Sequence, residues 1–306
     1  MNTSFHILVA TDYSESVRNA ERYAIQLAQN QLADVEFLHV YHSASPPPFP
    51  AFDLEPFMYD AFPKEAELLQ QRVDEIKKSL GLSEKINFSC KVIEGGTIEE
   101  IISEAEAFNA DLILMGKHAN KGAFDFLWGS NTWNTMRDAP CPVLVVPEDG
   151  LYRPIKKIAY ITEYKEDEIA AINYLKGIVS GKERTSLVLL HISPFGTSMP
   201  LENIVFENFL KDLSRQLPYE KFYFSLLHGE DGMKVLNDYC QKEEIDWLAV
   251  SPGRSSILES IFSPGNKLAK RMSAETIVPL LAIPAGYERR NAFFMNEEEE
   301  QYHIET

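Results

Sequence analysis

Basic side chains are scarce in this sequence: Lys and Arg total 29 against 46 Asp and Glu, a formal net charge of −17 over 306 residues. A field of that sign repels a phosphate backbone or an anionic bilayer, so neither nucleic acid nor membrane is an expected partner. A small nucleotide is not excluded on the same ground, because it feels the loop dipoles beside it more than charges beyond a screening length of about 10 Å. Long apolar runs are also missing, and no stretch of about 18 apolar residues reads as a membrane-spanning helix. The opening residues, Met1-Asn-Thr-Ser-Phe-His-Ile-Leu-Val-Ala, enter an apolar strand directly, without the basic segment, apolar stretch and cleavage site of a secretory signal. The expectation is a cytoplasmic protein. Cysteine is rare as well: Cys90, Cys141 and Cys240 are an odd number at wide spacing. Reduced, mostly buried thiols fit that pattern better than a disulfide frame or a metal site.

What the chain does have is a strand-and-helix alternation that occurs twice. His6 to Ala10 is an apolar run, and Val17, Ala20, Ala24 and Leu27 then follow at helical spacing behind Ser14. Val35 to Tyr41 is a second strand, and Ala66, Leu69, Val73, Ile76 and Leu80 mark an amphipathic helix ended by Gly81. Phe88 to Ile93, a helix through Ile98, Ile101, Ile102 and Ala105, the strand Leu112 to Met115, a helix after Ser130 and the strand Pro142 to Val146 complete the first half.

The second half echoes it. Ile158-Ala-Tyr-Ile-Thr162-Glu-Tyr answers Ile7-Leu-Val-Ala-Thr11-Asp-Tyr, and Leu190-His-Ile answers Leu38-His-Val. Asp246-Trp-Leu-Ala-Val250 matches Asp111-Leu-Ile-Leu-Met115, and Val278-Pro-Leu-Leu-Ala-Ile-Pro284 matches Cys141-Pro-Val-Leu-Val-Val-Pro147. This is a tandem duplication. The second copy is shorter by about one loop, for which the proline-rich segment Ser43 to Pro63 is the obvious candidate. Strands alternating with helices imply parallel strands and right-handed crossovers, hence an α/β fold of two doubly wound five-stranded sheets with ligands at the strand carboxyl ends. The expected divisions are a first domain over 1–147, a linker over 148–154, a second domain over 155–286 and an acidic tail over 287–306. In that tail Glu297 to Glu300 repel one another, while Phe293, Phe294 and Met295 offer an apolar docking segment.

One stretch carries a ligand chemistry. Leu112-Ile-Leu-Met-Gly116-Lys-His-Ala119 is a buried strand that ends in glycine, and Gly129-Ser130 opens a helix nine residues further on. Free backbone N–H groups at such a strand end and helix start can receive phosphate oxygens. Together with Val9-Ala-Thr-Asp12-Tyr-Ser14, Leu38-His-Val40 and Ala139-Pro-Cys-Pro-Val-Leu-Val-Val, this pattern resembles the universal stress proteins. The resemblance covers residues 4–147 and 155–284, so the chain is similar to the tandem type of that family.

The resemblance implies an adenine nucleotide alpha hydrolase-like, Rossmann-like fold in each half, with the two halves forming a pseudo-dimer within one chain. In the family the fifth strands commonly pair, which would set Val143 to Val146 beside Leu280 to Ile283, and a further homodimer is left open. It also implies a regulatory or protective role in stress, with ATP or a related adenine nucleotide bound in the first domain only; whether magnesium accompanies it stays open. By position, Asp12 would meet the adenine or ribose side with Ala10 and Thr11, and Val40 would offer its backbone to the adenine. Met115, Gly116, His118, Ala119, Gly129, Ser130 and Asn131 would surround ribose and phosphates. The family's phosphate loop has glycine, two residues, glycine, nine residues, glycine, then serine or threonine; here Ala119 stands at the second glycine. If that position requires positive φ, the alanine costs about 1–2 kcal/mol, roughly ten-fold in affinity.

The second half departs further, with Ser251-Pro-Gly-Arg254-Ser-Ser256, Ser263-Pro-Gly-Asn266 and Glu163 in place of Asp12. Each proline removes a donor where donors matter, whereas Arg254, Ser255 and Ser256 retain side-chain donors for an anion. His39 and His191 sit at matching strand positions and read as hydrogen-bonded structural residues. His118 reads equally as a phosphate donor or a loop cap, and Lys117 and Lys121 as a phosphate-attracting pair or ordinary surface charges. No Ser-His-Asp spacing, metal cluster or paired-carboxylate signature stands out, so no catalytic residue is assigned. Two alternatives remain beside the nucleotide-binding stress protein: a nucleotide-independent scaffold of the same fold, and a slow ATPase relying on Asp12 or His118.

Overall fold

The computed structural model describes residues 5–31, 33–42, 61–81, 86–117, 130–179, 185–193, 200–217, 222–229, 232–252, 278–284 and 287. At 30, 31, 61–63, 130, 131, 133, 166, 200–203, 232 and 233 only the backbone is described. The chain divides into two compact units, the first holding the described residues up to Tyr152 and the second those from Arg153 onward.

The first unit runs β1 (His6–Thr11), α1 (Glu15–Gln31), β2 (Asp34–Tyr41), α2 (Ala61–Leu80), β3 (Phe88–Glu94), α3 (Thr97–Ala107), β4 (Leu112–Gly116), α4 (Ser130–Asp138) and β5 (Val143–Val146). Its strands are all parallel in the order β3-β2-β1-β4-β5. The second unit runs β6 (Lys157–Ile161), a 3-10 turn at Glu166–Glu168, α5 (Ile169–Val179), β7 (Ser186–Ser193), α6 (Pro200–Gln216), β8 (Phe222–His228), α7 (Gly232–Lys242), β9 (Trp247–Val250) and β10 (Leu280–Ala282). Its strands are parallel in the corresponding order β8-β7-β6-β9-β10. The two units thus have the same strand order.

Continuous apolar runs fill the central strands because helices cover both faces of a doubly wound sheet. Ile7, Leu8 and Val9 of β1, Leu112, Ile113 and Leu114 of β4, and Val143 to Val146 of β5 are all buried. Their counterparts Ile158, Ala159 and Tyr160 of β6, Trp247 to Val250 of β9 and Leu280 to Ile283 are buried too. Helix α1 lays Val17, Ala20, Ala24, Leu27 and Ala28 on the first sheet, the small residues allowing close approach. Helix α2 contributes Leu69, Val73 and Ile76, the stripe its spacing predicts. The second strand reverses direction of connection relative to the fourth, so the crevice between the carboxyl ends of β1 and β4 is the topological switch where ligands of such sheets bind. Among the described residues no helix is long and apolar enough to cross a membrane.

Candidate functional site

At the switch of the first unit, β1 ends in Thr11 and leads through Asp12, Tyr13 and Ser14 into α1. This loop is held unusually firmly. Tyr13 has φ of 62°, a left-handed conformation that costs a side-chain-bearing residue on the order of 1–2 kcal/mol. Several bonds offset it. The Tyr13 N–H donates to the Thr11 hydroxyl at 3.2 Å, and the Ser14 N–H donates to the Asp12 carboxylate at 3.0 Å. The Arg72 guanidinium of α2 reaches over to donate to the carbonyls of Tyr13 and Ser14 at 3.0 and 2.9 Å. The Tyr13 ring stacks on His39 with centroids 4.1 Å apart, and its hydroxyl donates to the Glu65 carbonyl at 3.0 Å.

Below the loop lies a buried charge network. Glu21 of α1 is 1% exposed; it accepts from the Thr11 hydroxyl at 2.5 Å and from Arg72 Nε at 2.8 Å to each oxygen. A buried carboxylate is tolerable only with such a partner, since an unpaired one would be strongly disfavoured. His39 completes the frame: its Nδ1 lies 2.8 Å from the Thr11 carbonyl and its Nε2 3.9 Å from the Glu65 carboxylate. His39 and His191 are therefore hydrogen-bonded strand-end residues, as read from sequence. The burial of Tyr13 and the neighbouring Glu65 push the Tyr13 phenol pKa upward, which leaves it a neutral stacking partner.

The expected site residues divide by element. Ala10 and Thr11 lie at the end of β1, half-buried and buried, and Asp12 is exposed just beyond it. Val40 lies near the end of β2, half-buried. Met115 and Gly116 end β4 beside β1, with Ala10 in register with Met115. These six share the carboxyl end of one sheet. Ser130 and Asn131 open α4, where only their backbone is described, and His118, Ala119 and Gly129 lie outside the described residues. Lys121, Arg254, Ser255, Ser256, Ser263, Asn266 and the tail residues Phe293, Phe294 and Met295 also lie outside them.

Gly116 has a clear steric role. A Cβ there would stand 2.8 Å from the Val17 Cα and 3.0 Å from its Cγ2, so the glycine lets α1 press against the end of β4. The next amide, Lys117 N–H, donates to the Val146 carbonyl at 2.9 Å. It is consumed by the sheet.

The second unit keeps the frame and changes its lining. Tyr164 has φ of 62° and stacks on His191 at 4.2 Å, while His191 Nδ1 lies 2.8 Å from the Thr162 carbonyl. Where Tyr13 faces the Glu65 and Arg72 side of α2, Tyr164 packs on Phe206 and Phe209 of α6 at 5.4 and 5.6 Å. Ser251 takes the place of Gly116 and donates to the Ile283 carbonyl at 3.0 Å. Pro252 follows it and has no N–H to offer.

Sequence reading did not single out Glu21, Arg72, Tyr13 or Glu168. A signal existed for Glu21, which interrupts the otherwise apolar stripe of Val17, Ala20, Ala24 and Ala28. No local pattern marks Arg72 as the partner 51 residues away. None of the three thiols is in a disulfide; Cys141 and Cys240 are buried and Cys90 is half-buried.

With the site in view, the comparisons are specific. The sequence model of the universal stress protein family matches residues 4–147. A universal stress protein of Methanocaldococcus jannaschii is 31% identical over 149 residues, which are 46% of this chain and 80% of that protein. The chain belongs to the universal stress protein family. A universal stress protein of Thermus aquaticus is 28% identical over 46% of this chain and 96% of its own length. The crystal structure of a universal stress protein from Archaeoglobus fulgidus aligns over 92% of this chain and 98% of its own at a TM-score of 0.64 and 16% identity. That likeness is one of fold, and it extends over both units. In this universal stress protein the matched half is the one that carries Asp12, Gly116 and the start of α4 on one sheet end.

Proposed function

We propose that the first unit binds ATP or a related adenine nucleotide and that the second does not, in a protein with a regulatory or protective role in the cytoplasm under stress. The observation that carries this reading is the contrast at the two switch points. In the first unit an exposed carboxylate, Asp12, stands on a loop pinned by Arg72 beside a strand that ends in glycine. In the second, serine and proline replace the glycine and lysine.

In this reading Asp12 accepts from a ribose hydroxyl or the adenine amine, with Ala10 and Thr11 at the loop base and Val40 presenting its backbone to the base edge. Met115 and Gly116 floor the ribose, and His118, Ala119, Gly129, Ser130 and Asn131 receive the phosphates at the start of α4. Ala119 sets the affinity lower rather than removing it. The domain limits at 147 and 155, the linker between them and a pseudo-dimer within one chain belong to the same proposal.

The scaffold reading is favoured by the replaced loops of the second unit, and it predicts no nucleotide binding at all. Among the described residues an ATPase reading finds no base held by an orienting partner near the site: the Asp12 carboxylate accepts from the Ser14 N–H and His39 Nδ1 lies 2.8 Å from the Thr11 carbonyl, while His118, the other candidate base, lies outside them. Calorimetric titration of ATP, ADP and AMP, with and without magnesium, separates these. Heat that saturates at one nucleotide per chain supports the proposal, absence of heat at millimolar nucleotide supports the scaffold, and turnover lost on Asp12→Ala supports the enzyme.

A further inference from the structure

In the strand order of the first unit β3 lies at one end, and β8 lies at the matching end of the second. The edge of a sheet presents a row of backbone N–H and C=O groups to any further strand, and soluble proteins ordinarily blunt it with charge, proline or a bulge. The β3 edge follows that rule, since its exposed residues are Ser89, Lys91 and Glu94. The β8 edge does not. Its seven residues, Phe222-Tyr-Phe-Ser-Leu-Leu-His228, include no proline and no Lys, Arg, Asp or Glu. Tyr223, Phe224 and Leu226 are 59%, 38% and 38% exposed.

The two strands correspond residue by residue. Lys91 and Val92 are in register with Leu38 and His39, and Ser225 and Leu226 with Leu190 and His191. Tyr223, Phe224, Ser225 and His228 therefore stand where β3 has Ser89, Cys90, Lys91 and Glu94. On one face of β8 the Phe224 ring meets Phe206 of α6 edge-on with centroids 5.6 Å apart, and Ile204 and Val205 of that helix are exposed. On the other face the Ser225 hydroxyl lies 2.9 Å from the Tyr239 hydroxyl of α7, and Tyr223 falls on that side by the alternation of a strand. Exposed apolar side chains thus flank the strand on both faces of the sheet.

We propose that β8 is the surface on which a second copy of this chain docks, the two β8 strands pairing antiparallel about a two-fold axis at Ser225. The backbone edge calls for a strand, and the sequence is complementary to itself. A two-fold contact between identical edges is antiparallel, and an axis at Ser225 is the register that pairs all seven residues. It sets Phe224 opposite Leu226 of the second copy and Tyr223 opposite its Leu227, aromatic–aliphatic pairs that stabilise neighbouring strands. Charge also favours the second copy. A chain of net charge −17 repels its own kind, so copies meet best where the contact opposes no like charges. The same pairing at β3 would set Lys91 against itself. The inference is independent of nucleotide binding by the first unit.

Sedimentation velocity on the full chain from about 1 to about 100 μM tests it, a range in which a micromolar contact is seen to form. The wild type should pass from monomer to dimer. Leu226→Lys, which puts a charge opposite Phe224, should raise the dissociation constant about ten-fold or more, whereas Leu68→Lys, at an exposed leucine of α2 in the first unit, should leave it unchanged. Should Leu226→Lys fail to fold, Tyr223→Ser installs the residue found at the same position of β3 and should weaken the dimer likewise. Ser225→Cys should give, on mild oxidation, a covalent dimer joined at position 225, because side chains opposite each other at the axis lie about 5 Å apart. A wild type that stays monomeric at the upper concentration overturns the proposal. So does a dimer that the folded β8 variants leave intact, or one that Ser225→Cys does not join at that position.

Discussion

Single residues set the character of the first site. Gly116 is required by its distance to the Val17 backbone rather than by any freedom of its φ angle. Gly116→Ala should cost about 1–3 kcal/mol, because helix backbone and not a flexible side-chain tip must yield. Urea denaturation checks it as a lower midpoint at unchanged slope. The thiols should separate by reactivity in the native state. Burial pushes the Cys240 thiol up to about 12, and burial followed by Asp74 takes Cys90 to about 11. Because only the half-buried Cys90 is reachable, a thiol reagent at pH 8 should modify it slowly and leave Cys240 until unfolding. Rapid native labelling of Cys240 would show that α7 opens readily.

At the scale of elements, Arg72 ties three parts together: α2 on which it sits, α1 through Glu21, and the β1–α1 loop through two carbonyls. Arg72→Met removes the cationic partner of a carboxylate that is 1% exposed and leaves it only the Thr11 hydroxyl among the described residues. Breaking a buried pair on one side typically costs about 3–5 kcal/mol, and thermal unfolding should register the loss. The double variant Arg72→Met, Glu21→Gln should recover part of it, which a simple packing defect would not. The two sheets also diverge on their outer faces. In the first unit Glu36 accepts from Ser89, and Lys91 of β3 pairs with Glu104 of α3; burial, then Glu104, raises the Glu36 pKa. In the second unit the corresponding β8–α7 contact is a Ser225–Tyr239 hydroxyl pair at 2.9 Å.

The elements were legible because their periods are strong. Apolar runs such as Ile113 to Met115 and the 3-and-4 stepping of Leu69, Val73 and Ile76 leave little choice between strand and helix, and the repeat fixes the strand order twice over. The candidate site was legible in part. Ala10, Thr11, Asp12, Val40, Met115 and Gly116 follow each other at strand ends, so a correct topology brings them together. The polar frame beneath them was not legible, because Arg72 and Glu21 meet across 51 positions and a charged residue within an amphipathic helix ordinarily faces solvent. Glu168 was hidden for a related reason: a glutamate at the start of a helix ordinarily faces solvent, whereas this one ends the 3-10 turn ahead of α5 and is buried.

At the scale of the whole molecule, the two units share one strand order and have two different linings. The first surrounds its loop with charge that is balanced, Glu21 against Arg72, and presents Asp12 outward. The second surrounds its loop with aromatic rings and a buried carboxyl group, Glu168, that has hydroxyl and amide donors where Glu21 has Arg72. A net charge of −17 disfavours anionic ligands everywhere except where local donors gather, so two equivalent nucleotide sites are not expected. The most direct measurement is the stoichiometry of ATP binding to the full chain by titration calorimetry, repeated with Asp12→Ala and Glu163→Ala. One nucleotide per chain, weakened about ten-fold or more by Asp12→Ala and unchanged by Glu163→Ala, is the predicted result. Two equal sites, or no binding at millimolar nucleotide, would contradict the account.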